Sequence, residues 1–230
     1  MLEEAMKSLI KTHALHGIEI SVGEGLPNIK CPSIESLGKH LFPYLSYMTK
    51  YVDMYDDEKN DMYFKIITSE SSIAEFLFFI GFFVTYEKIG FQDNSLIFDD
   101  SKIICYQNIG LLMEIIKVLH HRDKKDDEYK PANKIAAEMM ARARKLKREL
   151  AEKLSKKDGI GFLEISSTIS ARHPSLNLLN INKLSYFQII DQYKRLQSID
   201  KYTPCLYGNA TEEYIKNNNV KHYSEKLVND

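Results

Sequence analysis

The chain has 230 residues, 44% of them hydrophobic and 27% charged, with a formal net charge of −1. These values exclude a disordered chain, a collagen and a disulfide knot, and no global charge points to nucleic acid or membrane. Ten Gly and six Pro are too few for a loop-rich all-β protein. A chain of this length buries most of its unfolded surface in one core and needs neither metal nor disulfide to fold.

Residues 1–16 read as a short amphipathic helix with Leu2, Met6, Leu9 and Ile10 on one face. Ile18, Ile20 and Val22 alternate, Gly23–Gly25 turns the chain, and Leu26, Ile29 and Cys31 come next, which predicts a β-hairpin. Pro32-Ser33 opens a helix with Ser33 as cap, carrying Ile34, Leu37, Leu41, Leu45 and Met48, and Pro43 predicts a kink or a break near Phe42. The acidic stretch 53–61 reads as a solvated loop or a helix N-terminus, with Asp61 as the cap of the next segment.

Met62–Thr68 is a short apolar piece, and Ser71 or Ser72 is expected to cap a helix over Ile73–Tyr86. Its greasy centre, Phe76–Val84, lies between Glu75 and Glu87. A bilayer span needs about 20 apolar residues, so this is a core helix. Leu96–Phe98 and Ile103–Ile104 predict a second hairpin around Asp99-Asp100-Ser101. Asn108 is expected to cap a helix whose stripe is Ile109, Leu112, Met113, Ile116 and Leu119.

After His120-His121 the composition changes. Residues 122–130 are nearly all charged and read as a surface linker, and Pro131 suits the first turn of a helix. From Ala132 to Lys157 the residues are strong helix formers with a narrow stripe, Ile135, Met139, Ala143, Leu146, Leu150 and Leu154. Residues 130–157 hold ten Lys or Arg against three Glu. A helix over Gly161–Ala171 stops at His173-Pro174, Ser175–Ile181 is a loop, and Asn182 is expected to cap a helix over Lys183–Ile199. Asp191 and Arg195 are placed to pair on its polar side, and the chain beyond Tyr202 reads as a weakly packed tail.

Catalytic motifs are missing from the sequence: it contains no GxGxxG, P-loop, GxSxG or HExxH. His13 and His16 form a solvated pair rather than a metal site, for want of a third ligand. His120-His121 sit at a helix C-terminus, where the dipole favours them. The carboxylates of 53–61 lack EF-hand spacing. Cys31, Cys105 and Cys205 are odd in number, contain no CxxC and read as structural thiols, reduced in a cytoplasm. The N-terminus, with Glu3 and Glu4, lacks the basic start and apolar run of a signal peptide.

The basic helix 131–157 is the most distinctive segment. Its Arg142, Arg144, Lys145, Lys147 and Arg148 suit phosphates, yet no aromatic residues interleave with them to stack bases. A second reading docks its stripe on a partner with an acidic surface, and a third leaves it a solvated helix packed at home. The partner reading assigns Ile135, Met139, Arg142, Arg144, Lys145, Leu146 and Leu150 as partner-binding residues.

Residues 163–197 resemble a group of tailed-bacteriophage proteins encoded among tail and baseplate genes in phages of Gram-positive hosts. Ser175, Asn177, Leu178, Leu179 and Asn180 fit their loop, and Leu184, Phe187, Asp191, Gln192, Arg195 and Leu196 fit the helix after it. Residues 29–48 resemble the strand–Pro–helix opening of the same proteins, and the basic Ala-rich helix is also similar. The resemblance implies a tail assembly chaperone or a baseplate-region component, without a catalytic site.

The expectation is a mainly α fold with one or two small β-hairpins (α+β) and a protruding basic helix. It divides into an N-terminal globular part (1–121), a charged linker (122–130), the basic helix (131–157), a C-terminal helical part packing on the first (158–202) and a polar tail (203–230). The expected function is non-enzymatic: tail assembly or a structural tail or baseplate role through protein–protein binding. The alternative is a nucleic-acid-binding accessory protein using helix 131–157. No cofactor and no metal is expected. Expected partners are other tail or baseplate proteins or a second copy, in the host cytoplasm during assembly or in the virion tail, with no membrane.

Overall fold

The computed structural model describes residues 2–21, 23, 25–99, 102–122, 139, 142, 146, 161–218 and 220. The fold is mainly α with one small antiparallel sheet. Helix α1, Glu4–His16, is closed by Gly17, whose φ of 68° lets its N–H reach back to Ala14 O. Its buried face is Lys7, Ile10 and Ala14, while Met6 and Leu9 are exposed. The face is therefore rotated from the expected one, because the helix docks on the later helix Ile109–Leu119.

The hairpin expected over 18–31 reduces to one antiparallel bridge, Ile20–Ile29, with Val22 outside the described residues. Neighbouring backbone groups bond elsewhere: Lys30 N–H to Phe83 O at 2.7 Å and Ile103 N–H to Gly25 O at 2.9 Å. Ser33 caps helix α2, Ile34–Leu37, by accepting from Ser36 N–H. A 3-10 turn over Gly38–His40 leads into helix α3, Leu41–Glu58. The break thus falls before Phe42, and Pro43 sits in the first turn of α3, where no backbone N–H is lost.

The acidic stretch 53–61 is the end of α3 and the 3-10 turn after it, not a loop or a helix start. Buried Tyr51, Val52 and Tyr55 recur at helical spacing and carry the helix through the acids. Asp61 makes no cap bond to helix α4, Met62–Ile66. Helix α5 spans Glu70–Ile80 and is capped by Ser69, whose oxygen accepts from Ser72 N–H. The cap is thus two or three residues earlier than expected. Phe76, Phe79, Ile80 and Phe83 are all fully buried.

Strands β1 (Ile89–Gln92), β2 (Ser95–Phe98) and β3 (Lys102–Ile104) form a sheet in the order β1-β2-β3. The expected hairpin is β2–β3, with Leu96 opposite Ile104. The additional strand β1 joins through a two-residue turn, Asp93-Asn94, both with positive φ (49° and 55°). That is the geometry favoured between twisted strands, and Asp and Asn tolerate it. Tyr63 of α4 reaches the sheet, its hydroxyl 2.9 Å from Asn94 O and 3.0 Å from Ile104 O.

Helix α6, Ile109–Leu119, is the centre of the main core and packs on α1 and α3. Its expected stripe is buried, and so are Gly110, Ile115 and Val118, so the helix is covered on nearly every side. Asn108 stands at its N-cap but does not cap it. Its Oδ1 accepts from Cys105 N–H and its Nδ2 donates to Ile103 O, tying β3 to the helix.

Helix α7 spans Phe162–Arg172 and ends at His173. Helix α8 spans Tyr186–Leu206 and packs on α7 around a second small core of Ile169, Ile181 and Ile189. Its cap is Ser185 and not Asn182. Residues Ile181–Lys183 form a 3-10 turn, and Leu184 is extended. Ser185 and Gln188 form a capping box. Helix α8 runs past Tyr202 through Pro204, and a short helix α9, Glu212–Asn217, is capped by Thr211.

Candidate functional site

Of the seven partner-binding residues assigned from sequence, Met139, Arg142 and Leu146 are described, and all three are helical and exposed. Met139 is 67% and Leu146 65% exposed. The three stand at sequence positions 139, 142 and 146, spacings that suit one face of a helix. Ile135, Arg144, Lys145 and Leu150 lie outside the described residues, as do most of the linker and basic helix.

The second place of interest is where the two cores meet. Ser33 and Ser185 form an isolated antiparallel bridge, and Ile34 N–H donates to Leu184 O at 3.0 Å. Gln188 Nε2 donates to Leu15 O at 2.8 Å, tying α8 to α1. Phe187 enters the main core from α8. His121, in the left-handed region with φ 54°, stacks on Phe187 at 4.4 Å, and its Nε2 lies 3.2 Å from Phe187 O.

His120 is the centre of this junction. Its Nε2 lies 2.7 Å from the Tyr44 hydroxyl. Its ring stacks on Tyr186 at 5.0 Å and meets Phe83 edge-on at 6.0 Å. Burial, then the charges of Arg122 and His121, lowers its pKa to about 3. His120 is therefore a neutral buried ring and not a charged residue favoured by the helix dipole, because the dipole is outweighed by desolvation. Burial likewise pushes up the Tyr44 and Tyr186 hydroxyls and the half-buried Cys31 thiol, which bonds to Ser185. A thiol so shifted is a poor nucleophile.

The acids of 53–61 meet cations and a phenol. Asp56 pairs with Lys117 at 2.7 Å, Asp53 with Arg122 at 3.5 Å, Glu58 with Lys65 at 2.5 Å, and Asp61 accepts from Tyr106 at 3.3 Å. Among the described residues no group of three or more His, Cys, Asp or Glu is placed to hold a metal. His13 is bonded to Glu19 O. Asp191 and Arg195 pair at 2.8 Å as expected, but Asp191 is buried and does not lie on a polar face. No helix among the described residues is long and apolar enough to cross a membrane.

The loop before α8 is held by its asparagines. Asn177 Oδ1 accepts from Leu179 and Asn180 N–H, and Asn180 bonds back to Asn177 N–H and Ser175 O. Leu178 and Leu179 are left exposed. Sequence reasoning missed the junction residues because no local pattern joins Tyr44 to His120. The Ser185-x-x-Gln188 capping box was the one signal that marks the junction's boundary.

Residues 155–227 are similar to the family described as the YomV second domain, a phage-related domain family. The match covers α7, α8 and α9, and of the main core it includes Phe187. Comparisons with curated proteins and with solved structures gave no match.

Proposed function

We propose that this chain acts by protein–protein binding in phage tail assembly, as an assembly factor or as a tail or baseplate component, with the basic helix as its docking element. The observation that carries the reading is the exposure of two large apolar side chains, Met139 and Leu146, each in a helical position. Two large apolar side chains spaced one heptad apart are a seam for a facing helix, and the flanking Arg and Lys set orientation and on-rate. The phage-related match over 155–227 supports the setting, and the resemblance over 163–197 supports the tail.

Mass spectrometry of purified virions beside the infected-cell lysate tests it. Recovery in particles makes the chain a component; recovery only in lysate, in complex with tail proteins, makes it an assembly factor. Recovery with neither overturns the reading. The nucleic-acid alternative is tested by duplex binding against salt. A sub-micromolar Kd at about 150 mM salt, lost on charge reversal at Arg142, Arg144 and Lys145, establishes the alternative instead.

A further inference from the structure

The C-terminal helices meet the main core at a junction that includes the ring of His120. Helices α7 and α8 have their own small core. Among the described residues, their attachment includes the Ser33–Ser185 bridge, the Ile34–Leu184 and Gln188–Leu15 hydrogen bonds, the bond of Cys31 to Ser185, the packing of Ile34 against both cores, the insertion of Phe187, and the ring stacks of Tyr186 on His120 and Phe187 on His121.

We infer that His120 is the pin of an acid-sensitive latch: protonating its ring releases α7 and α8 from the main core and uncovers the aromatic surface of Tyr44, Tyr186 and Phe187. This device is independent of the partner-binding reading of the basic helix.

The groups facing His120 decide the sign. From α3 comes Tyr44, at hydrogen-bond distance. From the segment before α2 comes Cys31, close enough to act on Tyr44, and from α8 come Tyr186 and the Ser185 hydroxyl on Cys31. From the segment after α5 comes the apolar Phe83. The neighbouring charges are Arg122 and His121, both positive when ionised, and Asp53 already lies against Arg122. Among the described residues, the charges that act on the ring include no carboxylate. An imidazolium here has a phenol oxygen to donate to but, among the described residues, no carboxylate among the charges that act on it, and it is buried. Opening the junction hydrates it.

The ring's ordinary value is 6.5, and in the closed state it is held at about 3. A histidine held low in the closed state stabilises closure fully above 6.5, and that stabilisation drains away as pH falls from 6.5 towards 3. Between pH 6.5 and 4.5 the opening equilibrium therefore shifts by about 50-fold towards release.

Hydrogen exchange of the full chain, corrected for the intrinsic pH dependence, reads this directly. At pH 4.5, amides of α7 and α8 are expected to lose about 50-fold in protection relative to pH 6.5, while those of α5 and α6 keep theirs. His120→Phe with Tyr44→Phe, which keeps both rings and removes the titration, is expected to abolish the difference. If that variant does not fold, NMR of the His120 ring in the native chain serves: its protonation must coincide in pH with the loss of α7–α8 protection. Equal protection at both pH values, simultaneous loss in all helices, persistence of the effect in the double variant, or protonation of His120 without loss of protection overturns the latch.

Discussion

Ser33 and Ser185 each cap a helix, and the two caps face each other across an antiparallel bridge. The side chain of each is used within its own helix start: Ser33 Oγ accepts from Ser36 N–H at 3.1 Å and Ser185 Oγ from Gln188 N–H at 3.3 Å. Their main chains join the two parts through the bridge, and the Ser185 hydroxyl also meets Cys31. Local capping chemistry thus sets the extended backbone that makes the long-range bridge.

Ser185→Ala is expected to cost about 1 kcal/mol, the usual worth of a cap, because Gln188 N–H loses its acceptor in a part-buried position. Urea melts measure it. A loss below about 0.3 kcal/mol would show that α8 is held by its packing alone.

Phe79 is fully buried, stacks on Tyr51 at 4.8 Å and meets Phe83 edge-on at 5.3 Å. Phe79→Ala is expected to cost about 3–5 kcal/mol, from lost transfer free energy and the cavity left behind. A change below about 1 kcal/mol in the same melts contradicts the placement of α5 in the core.

Gly110 stands in the first turn of α6, where alanine is ordinarily better by up to about 1 kcal/mol. Here an added Cβ meets Asn60 Oδ1 at 2.3 Å, and Asn60 is anchored by its bond to Tyr106 O at 3.0 Å. Gly110→Ala is therefore expected to destabilise by about 1–3 kcal/mol. In an Asn60→Ala background the same change is expected to become neutral or stabilising. A double-mutant cycle by thermal melting reads the sign change, and its absence refutes the proposed clash.

Replacing Leu146 and Leu150 by Ser is expected to leave stability within about 0.5 kcal/mol, as for surface changes, and to disrupt assembly. Leu146 is 65% exposed, so its loss opens no cavity. Thermal melts and sedimentation of the variant with the tail proteins proposed as its partners check both halves. If the double change unfolds the whole chain, the helix belongs to the core.

Periodicity alone located α6, the Phe76–Phe83 core and the α7 boundary at His173-Pro174, because burial of an apolar stripe and the backbone limits set by proline act within a few residues. The same local logic misplaced the caps at Ser71/Ser72 and Asn182, where several polar residues compete and the winner depends on where packing starts the helix. It also extended a hairpin over 18–31, where the structure keeps the Ile20–Ile29 bridge and turns Lys30 and Gly25 to Phe83 and Ile103. What only the tertiary structure decided is the junction. Tyr44 and His120 are 76 positions apart, and nothing near either residue in sequence predicts that a helix-terminal histidine will be desolvated by Tyr44, Phe83 and Tyr186 together. A side chain's charge state is set by everything packed around it, and that packing is assembled from distant parts of the chain.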